Sequence, residues 1–99
     1  MIKFYKLRME VEKMKDTFVR DYINKKIEES KDKNYIKYTF YELRIKNNLS
    51  KEDLETFLKI NKHYFENNGY HVYFTGEKFV YKNTYMMVQS NELMIAIKE

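Results

Sequence analysis

Apolar residues in the first third of the chain recur every three or four positions, at Phe4, Leu7, Val11, Met14, Phe18 and Tyr22, with Ile23 and Ile27 on the flank of the same stripe. That period predicts one long amphipathic helix over residues 4–30. Ser30, Lys31, Asp32, Lys33 and Asn34 then break the pattern with turn-forming residues. A helix of that length measures about 40 Å, against about 30 Å for the breadth of a small domain. Its first turns are therefore expected to overhang. Phe4, Leu7, Val11 and Met14 are the candidate dimer interface, unless the helix folds back over its own sheet.

Tyr35, Ile36, Lys37 and Tyr38 form a short run of strand formers. Thr39 followed by Glu42 reads as a capping box, which predicts a second helix from Phe40 to about Lys46. Asn47, Asn48 and Leu49 read as a tight turn. Ser50, with Glu52, Asp53 and Glu55 after it, marks the N-terminus of a third helix, because a hydroxyl cap and carboxylates both suit the positive end of the helix dipole. Leu54, Phe57, Leu58, Asn61, Tyr64 and Phe65 supply its stripe, and Asn67, Asn68 and Gly69 end it.

From Tyr70 the period changes to two. Tyr70, Val72 and Phe74 alternate with His71, Tyr73 and Thr75, and Gly76 with Glu77 turns the chain into Lys78, Phe79, Val80 and Tyr81, which predicts a β-hairpin over residues 70–81. Turn signals at Lys82–Asn83 and Ser90–Asn91 leave two further strands, residues 84–89 and 92–98. The second of these, through Leu93, Met94, Ile95, Ala96 and Ile97, is apolar on both faces and is expected at the centre of the sheet. The fold class expected is α+β within a single domain: three helices, then an antiparallel sheet of three or four strands.

Helix, short strand, helix, tight turn, helix and hairpin, in that order over roughly residues 10–81, resembles the winged helix-turn-helix superfamily. The resemblance implies that the third helix enters the major groove of DNA and that residues 70–81 form the wing. Under it Lys51, Lys59, Lys62 and His63 on that helix, with Lys78 and Lys82 on the wing, are the nucleic-acid-binding residues, and the protein is a dimeric transcriptional regulator. The same fold also serves as a protein-interaction module.

Charge weighs against the DNA reading. The chain has 99 residues, 19 basic against 15 acidic, for a net charge of +4. Residues 1–34 carry ten basic and seven acidic groups, so the excess sits on the first helix rather than on the third helix or the wing. Glu52, Asp53 and Glu55 at the start of the third helix repel phosphates. Lys6, Lys13 and Arg20 form a basic row, but Glu10, Glu12 and Asp16 lie close enough to pair with it.

Enzyme chemistry finds few candidates, and no catalytic function is expected. His63 and Glu66 share a helix face, but the second histidine of a zinc motif is missing and His71 falls on a strand. The two glycines are used as cap and turn, which leaves no phosphate-cradling loop, and the chain has no cysteine. No metal or cofactor is expected. No apolar run approaches the about 20 residues of a membrane span, and nothing reads as a signal peptide, so the expected location is cytoplasmic.

Ten Tyr and seven Phe are more rings than so small a core encloses. Exposed tyrosines suit protein interfaces. His71, Tyr73 and Thr75 on one strand face, with Tyr81 or Tyr85 alongside, are the expected exposed patch, and Met86, Met87 and Met94 are expected as core filler. The leading reading is a small non-enzymatic accessory protein that binds a partner protein through Glu52, Asp53, Glu55, His71, Tyr73, Tyr81 and Tyr85 and acts by occlusion. Its small size and its Lys-, Asn-, Ile- and Tyr-rich composition, as from an AT-rich genome, suit a phage-type inhibitor of a host or defence nucleic-acid enzyme, anti-CRISPR- or anti-restriction-like. The alternative is the winged-helix DNA-binding regulator.

Overall fold

A computed structural model describes residues 16–98. The dimer stripe expected at Phe4, Leu7, Val11 and Met14 lies outside the described residues. The fold is α+β, helices first and antiparallel strands after. Helix α1, Asp16–Glu29, lies within the expected first helix and buries Val19 and Ile23. Strand β1, Tyr35–Thr39, leads into a π-helical segment, Tyr41–Lys46, and then helix α2, Lys51–Glu66. Both expected caps form. The Thr39 hydroxyl accepts the Glu42 amide at 3.2 Å while a Glu42 carboxylate oxygen accepts the Thr39 amide at 3.1 Å, and the Ser50 hydroxyl accepts the Asp53 amide at 3.0 Å.

The second helix differs from expectation in its winding. The Asn47 amide reaches back five residues to the Glu42 carbonyl at 3.1 Å, and the Asn47 side chain donates to the same carbonyl at 2.8 Å. The widened turn buries Leu43 and leaves Phe40, Tyr41 and Ile45 exposed. Asn47 closes the segment because its amide group doubles the bond that the backbone makes.

Strands β2 (Tyr70–Phe74), β3 (Lys78–Tyr81), β4 (Thr84–Met87) and β5 (Glu92–Lys98) follow. As expected, β5 is the central strand. It pairs antiparallel with β1 on one side and β2 on the other, with a bulge opposite Tyr38 and Thr39. The expected hairpin over residues 70–81 does not form. Instead β3 pairs with β4 as a separate two-stranded ribbon, Phe79 opposite Met86 and Tyr81 opposite Thr84. The expected single sheet is thus a three-stranded sheet and a ribbon.

The reason lies in burial. Val72 and Phe74 pack with Met94 and Ala96 against the helices, but the opposite face of the same strands carries Tyr35, Tyr73, Ile95 and Ile97. A tight hairpin would keep β3 in the sheet and leave that second face in water. The chain instead turns out at Gly76, whose φ of +86° suits glycine, and lays the ribbon across the face so that Phe79 and Val88 cover Ile95. Glu77 fixes the exit: its carboxylate accepts the Phe74 amide at 2.6 Å and its own amide donates to the Phe74 carbonyl at 2.9 Å. Three layers result: helices, sheet, ribbon.

Candidate functional site

Between the ribbon and the outer face of the sheet runs an open groove of about 820 Å³. Its floor is Tyr35 and Lys37 of β1 with Ile95 and Ile97 of β5, and its other wall is Phe79, Tyr81, Tyr85, Met86 and Met87 of the ribbon. The ribbon turns at Lys82 and Asn83, whose φ values of +50° and +65° belong to a two-residue turn of the type that matches strand twist. That turn settles which ribbon side chains face the sheet. Phe79 goes in and stacks on Tyr73, ring centroids 5.0 Å apart, while Tyr81 meets Tyr35 edge to face at 5.8 Å.

What remains outside is apolar. Tyr85 is 90% exposed, Val80 56% and Met87 43%, all on the outer face of one short ribbon, and Met86, opposite Phe79 on the inner face, is still 44% exposed at the groove. Small proteins rarely leave contiguous apolar surface of this kind in water unless something binds it. Of the three methionines expected in the core only Met94 is buried; Met86 and Met87 line the groove.

The electrostatics of the groove are sparse and one-sided. Glu92 is its one acidic lining residue among those described, and Lys37 holds it at 3.0 Å. Burial works to raise the Glu92 carboxyl, but the Gln89 amide and the Lys37 ammonium outweigh it and hold the group below the usual carboxylate range. Lys78, also lining, is exposed and has no ion-pair partner among the described residues. Lys33 lies 5.8 Å over the Tyr35 ring and Lys82 lies 5.3 Å over the Tyr81 ring.

The residues expected to bind a protein fall in two places. Tyr81 and Tyr85 line the groove, Tyr73 is half-buried under Phe79, and His71 is exposed on the same outer face. Glu52, Asp53 and Glu55 start α2, in the layer on the opposite side of the sheet, so one flat partner surface does not reach both sets. The expected DNA residues are likewise divided. Lys51, Lys59, Lys62 and His63 are exposed on α2, whereas Lys78 and Lys82 are on the ribbon beyond the sheet. On α2 the three lysines share their face with Glu52, Glu55 and Glu66, and Lys62 lies 3.8 Å from Glu66.

A polar cluster sits apart from the groove, where α1, β1 and the π-helical segment meet. The Tyr22 hydroxyl donates to Glu42 at 2.7 Å, Lys26 donates to the same carboxylate at 2.9 Å, and the Lys26 ammonium lies 5.1 Å over the Tyr38 ring. Burial raises the Tyr22 phenol far above its usual range, with the Glu42 hydrogen bond and charge adding to it; burial, then the charges of Glu42 and Tyr22, does the same for Tyr38. The Tyr38 hydroxyl donates to the buried Asn61 at 2.5 Å, and Asn61 donates to the Phe57 carbonyl at 2.7 Å. No buried side-chain polar atom there lacks a hydrogen-bond partner, and the cluster ties the layers together. No group of three or more metal-ligating His, Cys, Asp or Glu side chains occurs among the described residues, and no helix among them is long and apolar enough to cross a membrane.

In comparisons with family models, curated proteins and solved structures, nothing matches this chain.

Proposed function

We propose that this chain is a small non-enzymatic protein that binds a partner protein through the ribbon and its groove, and that it acts by occluding the partner's surface. The observation that carries the reading is the exposure of Val80, Tyr85 and Met87 together on the outer face of the ribbon, above an apolar groove that Met86 lines from the inner face. Tyr and Met are the residues that interfaces enrich, since both offer large contact area with few or adaptable torsions. The Lys-, Asn-, Ile- and Tyr-rich composition supports the narrower reading of a phage-type inhibitor of a host or defence nucleic-acid enzyme.

A DNA-binding regulator is the second reading, favoured by the order of helix, strand, helical segment and helix through residues 16–66 and by the exposure of Lys51, Lys59, Lys62 and His63. The carboxylates interleaved on α2 weaken it, because phosphates meet a face whose lysines and glutamates cancel. Two variants separate the readings. Tyr85→Asp with Met87→Asp changes only exposed side chains and is expected to abolish capture of the partner while leaving the fold intact. Lys59→Glu with Lys62→Glu is expected to leave capture unchanged. Duplex DNA that binds at low salt, releases steeply as salt rises and responds to the lysine pair instead would establish the second reading.

A further inference from the structure

Among the described residues strand β1 is an edge strand, and its alternation says which peptide groups occupy that edge. The Lys98 amide donates to the Asn34 carbonyl at 2.8 Å and the Phe40 amide donates to the Asn91 carbonyl at 2.9 Å, so the even-numbered residues from 34 to 40 turn their peptide groups inward to β5. Tyr35, Lys37 and Thr39 therefore turn theirs outward. Thr39 is closed off, because its amide is spent on Glu42. Among the described residues no strand lies beyond Tyr35 and Lys37.

The other edge of the sheet is closed at the corresponding place. On β2 the outward groups of Phe74 are both taken by Glu77, amide to carboxylate and carbonyl to amide. A side chain that plugs an edge is a device against strand addition. Each edge strand is thus plugged only at its last residue, and Val72 on β2 turns its groups outward as Tyr35 and Lys37 do on β1; what sets β1 apart is that its outward residues also floor the groove.

From this we propose that β1 receives one extended, acidic and apolar segment of the partner protein as an added strand. The inference rests on the protein-binding reading above and specifies how the partner docks. Tyr35 and Lys37 supply the outward amides and carbonyls for the backbone of the segment, as in other cases of strand addition. Side chains of the segment opposite Tyr35 and Lys37 share their face, which is the floor of the groove, so an apolar residue there drops between Tyr35, Tyr81 and Met86. Acidic character follows from the charges. Lys37 and Glu92 neutralise each other, which leaves Lys78 on the lining and Lys33 and Lys82 on the paired Tyr35 and Tyr81 rings. A lysine-bearing segment meets repulsion at all three; a glutamate-bearing one meets attraction.

The test titrates the isotopically labelled full chain with a blocked ten-residue peptide alternating glutamate with valine around one phenylalanine, and with its lysine-for-glutamate counterpart. The glutamate peptide is expected to bind about tenfold more tightly, to slow exchange of the Tyr35 and Lys37 amides and to shift the Tyr81 ring. Lys37→Pro removes one outward donor and leaves the β5 ladder intact, so it is expected to weaken binding about tenfold beyond Lys37→Ala, which keeps the donor. Should the proline variant not fold, the amide protection measured on the natural chain decides. Equal affinity for both peptides, protection elsewhere or nowhere, or self-association that covers Tyr35 and Lys37 while no peptide binds would each overturn the proposal. Loss of partner capture in Tyr85→Asp with Met87→Asp, alongside such a result, would sink the strand addition and keep the protein-binding reading; capture that ignores those substitutions would sink the reading itself.

Discussion

The two faces of one sheet are finished to different standards. Against the helices Tyr38, Phe57, Phe65, Met94 and Ala96 are wholly enclosed, and the polar Asn61 among them has both a donor and an acceptor partner. Against the ribbon only Phe79, Val88 and Ile95 are buried, while Tyr35, Tyr73, Tyr81 and Ile97 are half-covered around an open groove. Strand β5 feeds both faces with the same kind of side chain. The difference comes from what covers them: α1 and α2 bring broad apolar stripes, whereas two four-residue strands bring a narrow one. One face supplies stability, and the other keeps unfilled apolar surface that a partner can use.

The largest effect that separates the faces comes from truncation. Phe57→Ala removes a ring that packs against Phe18, Tyr22 and Tyr38, and it is expected to lose about 3–5 kcal/mol. Met87→Ala, on the groove, is expected to stay within about 0.5 kcal/mol. Urea denaturation of both variants measures the contrast. Equal losses would mean that the groove is part of the core.

The polar cluster on the helix side comes next. Glu42 caps its own segment and accepts from Tyr22 and Lys26, so Glu42→Ala removes a cap and strands a Lys26 side chain that is 14% exposed; a loss of about 2–3 kcal/mol is expected. Tyr38→Phe leaves the buried Asn61 carbonyl without its donor and is expected to lose about 1–3 kcal/mol. Both read out as a lower denaturation midpoint at unchanged slope.

Tyr22 and Tyr38 also give the helix side a signature at alkaline pH. Their folded pKa values are raised, so the folded state keeps protons that the unfolded chain releases. That stabilisation is complete below the ordinary tyrosine range near about 10 and fades as pH climbs above it. Tyr22 and Tyr38 should therefore add their tyrosinate absorbance only as the fold is lost. Their ionisation while the fold persists would contradict the burial assigned to them.

Local signals were legible in the sequence and long-range ones were not. Thr39 with Glu42 and Ser50 with Asp53 announced their helix starts, because a cap is decided within one turn of chain. The central position of β5 followed from its being apolar on both faces. Which strand β3 would join was hidden, since residues 70–74 and 78–81 carry the turn and alternation of a hairpin whether or not they pair. Only the need to cover Tyr35, Tyr73 and Ile97 decides it, and that need appears once β1 is known to flank β5. For the same reason Met86 and Met87 looked like core filler, and the open β1 edge left no mark in the sequence.

The ribbon face has weaker signatures of its own. Glu92 is held below the usual carboxylate range, so the Lys37 pair contributes above the unfolded pKa of about 4.3 and is lost as pH falls through the lower folded value. Lys37 is 41% exposed, which makes its part of the acid-side loss small and salt-sensitive; Lys37→Ala should reduce the loss and leave the part that the Gln89 amide holds. The smallest effect is at the ribbon turn. Lys82 holds a φ of +50° without the freedom of glycine, and Lys82→Gly relieves that strain at the expense of a more flexible unfolded chain, for a net gain of at most about 0.5 kcal/mol. If the ribbon is only a cover, that gain is the whole effect. Under strand addition the same substitution also removes a cation from the Tyr81 ring, so affinity for the glutamate peptide should fall while stability rises.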